Sequence, residues 1–159
     1  MKTACLLSLL ALAFGTSADE ALAPEGFAHW TAPEVGRMSQ TLAQTAMTDP
    51  HRFAVQQLAD YPNETVLLVQ RKADGPPEWH ETQVDVFVVE SGSATLIVGG
   101  TLLNGETVAP HEKRNGTIQG GVREQLSAGD IVRIPARTPH QLLVNRGEFS
   151  YLVVKVKGY

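Results

Sequence analysis

From Glu64 to the C-terminus, short apolar segments follow one another with turn residues between them and no helical pattern. The segments, rich in β-branched and aliphatic residues, span residues 65–71, 84–89, 94–98, 122–126, 131–134, 141–145 and 149–156. Gly, Pro, Ser and Asp fill the gaps, as in Asp74-Gly75-Pro76-Pro77. Many short strands separated by such turns are typical of antiparallel sandwiches and barrels. The sequence therefore predicts an all-β domain over residues 63–159.

A single helix is predicted ahead of these strands. Thr31 and Glu34 fit a capping box, and Pro33 stands in the first turn, where a missing N–H costs little. Apolar residues then recur at helical spacing and form one stripe: Val35, Met38, Leu42 and Ala46. Asp49-Pro50 ends the pattern. We expect residues 19–62 to be an N-terminal extension with this helix, in which residues 53–58 fit either a strand or a helix.

The first eighteen residues have the pattern of a secretory signal peptide. Lys2 supplies a positive charge, an apolar run extends from Ala4 to Phe14, and Thr16-Ser17-Ala18 offers small residues for cleavage before Asp19. The run is too short to span a bilayer, although an uncleaved interfacial anchor remains an alternative. The only cysteine, Cys5, lies within this segment, so the mature chain has no disulfide. We expect a secreted or periplasmic bacterial protein.

Size and charge exclude some classes of partner. A chain of 159 residues is enough for one domain with one core. The formal net charge of −4 and the scattered basic residues argue against binding to nucleic acid or to an anionic membrane. The sequence also has no glycine-rich phosphate loop and no nucleophile elbow. A small-molecule ligand is the partner that we expect.

Two distant segments carry the side chains that metals prefer. The first contains Glu78, His80 and Asp85, and the second places His140 after the turn 135–139. If the segments meet, they supply two imidazoles and one or two carboxylates, a set typical of open transition-metal sites. Glu78 and His80 share one side of an extended segment, but Asp85 has the opposite parity. A turn or bulge near residues 81–83 is needed to bring Asp85 back.

Apart from Asp85, two of the predicted strands are apolar on both faces, namely residues 84–89 and 149–156. A small barrel turns only one apolar face inward. The other face must be covered by the N-terminal helix or by another subunit. A homodimer is therefore one expectation.

These motifs resemble those of the cupin superfamily, the small jelly-roll barrels. The first cupin motif reads Gly-x5-His-x-His-x(3,4)-Glu-x6-Gly. In this sequence Glu78 stands at the first His and His80 at the second His. Asp85 stands at the Glu and Gly92 at the final Gly. The second reads Gly-x5-Pro-x-Gly-x2-His-x3-Asn; here Gly129, Pro135 and His140 fit, Arg137 replaces the middle Gly, and Asn145 comes one residue late. The resemblance covers about Thr65 to Val156 and implies a double-stranded β-helix barrel, to which the helix predicted above adds an N-terminal α-helix.

The resemblance also implies a divalent transition metal at the barrel mouth. Its ligands would be His80, Asp85, His140 and Glu78, with Glu78 as an alternative proton carrier. This donor set suits Fe or Mn, with Zn and Ni as further candidates. The alternative is that the two histidines are buried and merely hydrogen-bonded to neighbouring carboxylates. Arg137 conflicts with the turn if that position has a positive φ.

A long segment with Gly and Asn, residues 101–121, is expected to be a loop near the barrel mouth. Such loops are often lids, so His111, Arg114 or Arg123 could reach a substrate, unless the segment is simply a solvated excursion. The functional expectation is an exported metal-binding cupin that acts on a small organic molecule as an oxygenase, lyase or isomerase. The alternative is a non-enzymatic periplasmic module that binds or senses a small molecule or the metal.

Overall fold

The computed structural model describes residues 22–144 and 147–158. Within these ranges the chain forms one helix and twelve strands: α1 (Ala32–Thr48), β1 (Phe53–Asp60), β2 (Glu64–Arg71), β3 (Glu78–His80), β4 (Gln83–Val98), β5 (Thr101–Leu103), β6 (Glu106–Ala109), β7 (Glu112–Arg114), β8 (Thr117–Gln119), β9 (Val122–Ser127), β10 (Ile131–Ile134), β11 (His140–Leu143) and β12 (Phe149–Lys157). The predicted signal peptide, residues 1–18, and Asn145 lie outside the described residues.

Strand β4 organises the sheet. It belongs to a ten-stranded sheet of order β1-β2-β12-β4-β11-β3-β7-β6, in which β9 and β10 also pair with β4. Residues 83–92 of β4 pair antiparallel with β12, while residues 93–98 pair with β9. Gly92 lies between these halves at φ +78°, where an added Cβ would stand 2.0 Å from the Glu148 carbonyl oxygen. The curled antiparallel sheet confirms the predicted all-β jelly-roll class.

The barrel interior is filled by the inward faces of β4, β12 and their neighbours. Phe87, Val89, Tyr151 and Val153 belong to one buried cluster, together with Leu96 and Leu142 from the other half of the sheet. Phe87 and Tyr151 lie with ring centroids 4.9 Å apart. Asp85 has the same parity as Phe87 and Val89, so its carboxylate faces the interior with them.

Helix α1 begins and ends as predicted. The Glu34 carboxylate accepts hydrogen bonds from the Thr31 backbone N–H at 2.8 Å and from the Thr31 hydroxyl at 2.7 Å. Leu42 and Ala46 from the predicted stripe are buried against Leu68 on the outer face of the sheet. The helix therefore covers part of the second apolar face, and the homodimer stays a prediction. This helix is neither long nor apolar enough to cross a bilayer.

Residues 53–58, which fitted a strand or a helix, lie in strand β1. β1 pairs antiparallel with β2 from Phe53↔Arg71 to Asp60↔Thr65. The sheet therefore begins at Phe53, ahead of residue 63, where we placed the start of the barrel. The division of the chain into domains stays a prediction.

The segment 101–121 is folded rather than a loop. β5 pairs with β8 and β6 pairs with β7, so the segment forms two nested hairpins. Asn104, His111 and Asn115 turn the chain at φ values of 57°, 65° and 64°. Asn tolerates this left-handed conformation better than most residues, which makes tight turns possible without a long excursion. β7 also pairs with β3, so the hairpin is attached beside the two-histidine region.

Arg137 adopts φ 61°, so the conflict anticipated for a side chain at this glycine position is real. Its backbone N–H donates a 2.7 Å hydrogen bond to the His80 carbonyl, which fixes the turn in this conformation. Left-handed backbone costs a non-glycine residue about 1–2 kcal/mol.

We expect Arg137→Gly to stabilise the protein by up to about 1 kcal/mol, because the relieved strain exceeds the roughly 0.5–1 kcal/mol that glycine adds to the unfolded-state entropy. Chemical denaturation of the purified variants measures the change. Arg133→Gly, an exposed position in strand β10, is the matched control and should lose stability. A variant at Arg137 that is less stable than wild type would contradict the strain argument.

Candidate metal centre

The two histidine segments meet at the junction of neighbouring strands. His80 ends β3, His140 begins β11, and the pairing of these strands places His140 opposite Glu78. The two imidazole centroids are 5.2 Å apart. Both side chains are buried, with His80 3% and His140 4% exposed. The imidazoles therefore lie side by side although sixty residues of sequence separate them.

Asp85 returns to the histidines through a bend at residues 81–82, between β3 and β4. Its Oδ2 lies 3.4 Å from His80 Nε2 and 3.6 Å from His140 Nε2. The parity argument required a turn at this place, and the structure has one. Whether Asp85 is a ligand stays a prediction, because its oxygens already have another partner, described below.

Glu78, His80 and His140 form a cluster that could hold a metal ion. One donor atom from each residue lies within 4.8 Å of the donor atoms of the other two. Two imidazoles with one carboxylate are a donor set that suits divalent first-row metals. On chemical grounds the residues therefore fit such an ion, and its identity is open.

Each imidazole is oriented by a hydrogen bond on its far nitrogen. His80 Nδ1 is bonded to the Glu112 carboxylate, and His140 Nδ1 lies 3.0 Å from the Thr138 carbonyl oxygen. A carbonyl or carboxylate partner requires Nδ1–H, so Nε2 of a neutral ring presents its lone pair to the cluster. Glu112 was not identified from the sequence, because only the pairing of β7 with β3 brings it next to His80.

Lys155 is the second residue that sequence reasoning missed. Its Nζ lies 2.9 and 3.0 Å from the two Asp85 carboxylate oxygens and 3.1 Å from His80 Nε2. Strand pairing places Lys155 directly opposite Asp85. A signal was present: Lys155 continues the inward-facing series of Tyr151 and Val153, where a lysine on an apolar face requires a partner.

Burial and neighbouring charges strongly shift the pKa values of three residues in the cluster. Burial raises the pKa of Glu78, but hydrogen bonding with His80 and the nearby Arg114 outweigh it and lower that pKa to about 2. For Asp85, burial is likewise outweighed by the two histidines and Lys155, which hold its pKa well below the usual range. Burial favours neutral His80, yet hydrogen bonds with Asp85 and Glu78 raise its pKa to about 9. Both carboxylates are therefore ionised at neutral pH, and the metal-free His80 ring is protonated, so a metal ion would have to displace the proton on its Nε2.

The carboxylates of the cluster already have cationic partners without a metal. Glu78 contacts Arg71 and Arg114, Asp85 contacts Lys155, and Glu112 contacts the His80 imidazole. A divalent ion would enter beside an ammonium that already neutralises Asp85. Metal binding at Glu78, His80 and His140 thus competes with Lys155 for the same anionic surroundings.

The cluster opens onto a cavity of about 210 Å³. Glu78, Asp85, His140, Lys155 and Arg114 are among its lining residues, and most of the others are apolar. Of the three residues expected to reach a substrate, Arg114 lines this cavity.

The other two candidate substrate residues lie elsewhere. His111 sits in the tight β6–β7 turn, is 59% exposed and is bonded to the Glu81 carboxylate at 2.7 Å. Arg123 lies on β9 opposite Ile97 and is exposed. The described residues that line the cavity include neither of them. Their substrate roles stay predictions.

Solved structures with the same architecture include the KdgF protein of a Halomonas species, with 18% identity, TM-score 0.50, and coverage of 70% of this chain and 85% of that one. The cupin domain of Schizosaccharomyces pombe Cnp3 is similar at TM-score 0.51 and 8% identity, covering 67% of this chain and 65% of that one. The fold is a cupin barrel. A double-stranded β-helix protein from Klebsiella pneumoniae also matches this cupin barrel, at TM-score 0.50 and 16% identity, over 67% of this chain and 77% of that one. No protein-family model and no curated protein matches the sequence.

We expect Lys155→Met to bind a divalent ion at least tenfold more tightly than wild type, because the competing ammonium is removed while the donors remain. Titration with Co(II), followed by its visible absorption, and with Zn(II) in competition measures the affinities. Lys157→Met on the same strand, whose ammonium is bonded to Asp60, is the control and should leave the affinity unchanged. Equal affinities for all three proteins would show that Lys155 does not compete.

The raised pKa of His80 predicts a pH-dependent stability for chelator-treated protein. Because the folded pKa of about 9 exceeds the ordinary 6.5, the contribution of His80 is complete below about pH 6.5 and is lost as the pH rises through 9. The full shift corresponds to about 3 kcal/mol. Denaturation curves between pH 6 and about 10 should show this decline in wild type and a weaker one in His80→Gln. A parallel decline in both proteins would contradict it.

Proposed function

We propose that this cupin protein binds a divalent transition metal at Glu78, His80 and His140 and acts on a small organic molecule in the adjoining cavity. The observation that carries the proposal is the position of the donors: they lie within 4.8 Å of one another, and two of them, Glu78 and His140, line a mainly apolar cavity. Sites of this kind bind small ligands through apolar walls and a few convergent polar groups. We further propose that residues 1–18 direct the chain out of the cytoplasm.

When bound, the metal would supply Lewis acidity toward a substrate oxygen or a coordination site for O2. His80 and His140 would hold it through Nε2, kept in the right tautomer by Glu112 and Thr138. Glu78 is better suited as a ligand than as a proton carrier. A carboxyl group with a pKa of about 2 holds a proton poorly near neutral pH, and this one is also paired with Arg114.

Lys155 and the apolar walls have separate roles in this proposal. The ammonium keeps Asp85 ionised and in place beside the two imidazoles, and it can donate a hydrogen bond to an oxygen of a molecule in the cavity. The apolar lining, with Phe87 and Val153, excludes bulk water and so strengthens these polar interactions. Oxygenase, lyase and isomerase chemistry are each compatible with such a site, because the fold does not select the reaction.

A second candidate function is non-enzymatic binding of a small molecule, with no resident metal. The cationic partners that Glu78, Asp85 and Glu112 already have favour it, because these carboxylates need no metal ion to neutralise them. In that case Lys155 takes the place of the metal, and the cavity serves as a binding or sensing pocket.

Metal content decides between the two. We expect the untagged, natively expressed protein to carry about one Fe, Mn, Zn or Ni per chain by elemental analysis, and His80→Ala/His140→Ala to carry almost none. His51→Ala, at an exposed position, is the control and should keep the wild-type content. N-terminal sequencing of the same sample should begin at Asp19. A wild-type metal content no higher than that of the double variant would favour the binding module.

A further inference from the structure

A buried arginine faces the cavity beside the metal cluster. Arg71 ends strand β2, is 8% exposed and lines the cavity. Its guanidinium stacks over the Phe53 ring at 4.6 Å, and its Nε donates a 3.2 Å hydrogen bond to the Tyr151 hydroxyl. A buried guanidinium is costly unless its charge and its N–H groups are matched.

The hydrogen bonds that the described residues form with the Arg71 guanidinium are long. Among the described residues, Tyr151 and Glu78 are the hydrogen-bond partners of the guanidinium, and the Glu78 contact from Nη2 is long, at 3.5 Å. The same Glu78 oxygen accepts from Arg114 at 3.4 Å. Two guanidinium groups therefore share one carboxylate oxygen, although each has five N–H donors.

The backbone at Gly75 lies close to this guanidinium. A Cβ placed on Gly75 would lie 2.8 Å from Arg71 Nη1 and 2.9 Å from its Cζ. Gly75 does not have a left-handed φ, so an added Cβ there would displace the guanidinium without straining the backbone conformation. The Gly75 carbonyl oxygen accepts from the Gln141 side chain at 2.8 Å and its N–H donates to the Leu142 carbonyl at 2.8 Å, which hold this segment in place.

The charge and the lining of the cavity together indicate which class of ligand it binds. The cavity holds Arg71 and Arg114 near one shared carboxylate, and apolar side chains such as Val55, Leu67 and Val69 line the same space. Guanidinium groups bind carboxylates through two parallel hydrogen bonds, more strongly than they bind neutral acceptors. A ligand with one carboxylate and an apolar body matches both parts of the cavity.

We propose that Arg71, with Arg114 beside it, binds the carboxylate of a small organic acid whose apolar body lies in the barrel interior. This inference rests on the proposed function in taking that acid as the substrate or bound ligand, and it names its chemical class. Arg71 supplies the specificity for an anion, and Gly75 and Phe53 hold the guanidinium in position. Glu78 and His140 of the metal cluster line the same cavity, within reach of the rest of the molecule.

Paired acids and amides of the same shape test this inference in chelator-treated protein. The probes are benzoate against benzamide and hexanoate against hexanamide, measured by calorimetric titration. We expect at least one acid to bind and to bind at least tenfold more tightly than its amide. Arg71→Lys keeps the charge but loses the planar pair of donors, so it should lose at least tenfold in acid affinity. Arg133→Lys, on the exposed face of β10, is the matched control and should bind as wild type does.

A second variant distinguishes loss of the acid site from loss of the fold. Gly75→Ala pushes on the guanidinium without removing a charge, and it should weaken acid binding while thermal unfolding stays cooperative. Equal affinity for acid and amide, equal affinity of Arg71→Lys and Arg133→Lys, or no binding of either acid would overturn the inference. Metal content of the same proteins is measured separately. A metal-free protein that still prefers acids would contradict the metal-dependent function and leave the acid site standing.

Discussion

The ion pair between Asp85 and Lys155 is the interaction on which the site depends. The Asp85 carboxylate is 3% exposed inside a barrel that is filled mainly by apolar side chains. An ionised carboxylate in such surroundings costs several kcal/mol unless it is paired and hydrogen-bonded. Lys155 contacts both of its oxygens, and the two imidazoles lie within 3.6 Å. The barrel can close around a charged group only because these partners arrive from three other strands.

Strand pairing places each partner in turn. Asp85 and Lys155 face one another because β4 and β12 are neighbours in register. His140 stands opposite Glu78 because β11 pairs with β3, and Glu112 reaches His80 because β7 pairs with the other edge of β3. The hairpin 101–121 thus supports the site instead of covering it. Its turns at Asn104, His111 and Asn115 give it a fixed shape.

The cluster has two possible cations, a bound metal ion or the Lys155 ammonium, and the two proposed functions differ in which one it uses. Glu78, His80 and His140 have the donor atoms and the spacing for a metal ion, and Lys155 already supplies a cation in the same surroundings. Cupin architecture does not decide between these two functions, since the three solved structures named above share 18% identity or less with this chain and establish the fold alone. The cavity beside the cluster, in which the Arg71 guanidinium lies against Gly75, favours an anionic organic ligand whether or not a metal is bound.

The sequence by itself determined the class of fold, helix α1 and the chemical candidates at Glu78, His80, Asp85 and His140. These follow from local patterns: turn residues between short strands, a helical stripe with a capping box, and side-chain parity. Only the tertiary structure decided that Lys155, Glu112 and Arg71 belong to the same site, and that His111 and Arg123 lie away from the cavity. The physical reason is that register between strands distant in sequence selects which side chains meet, and local patterns carry parity but not register.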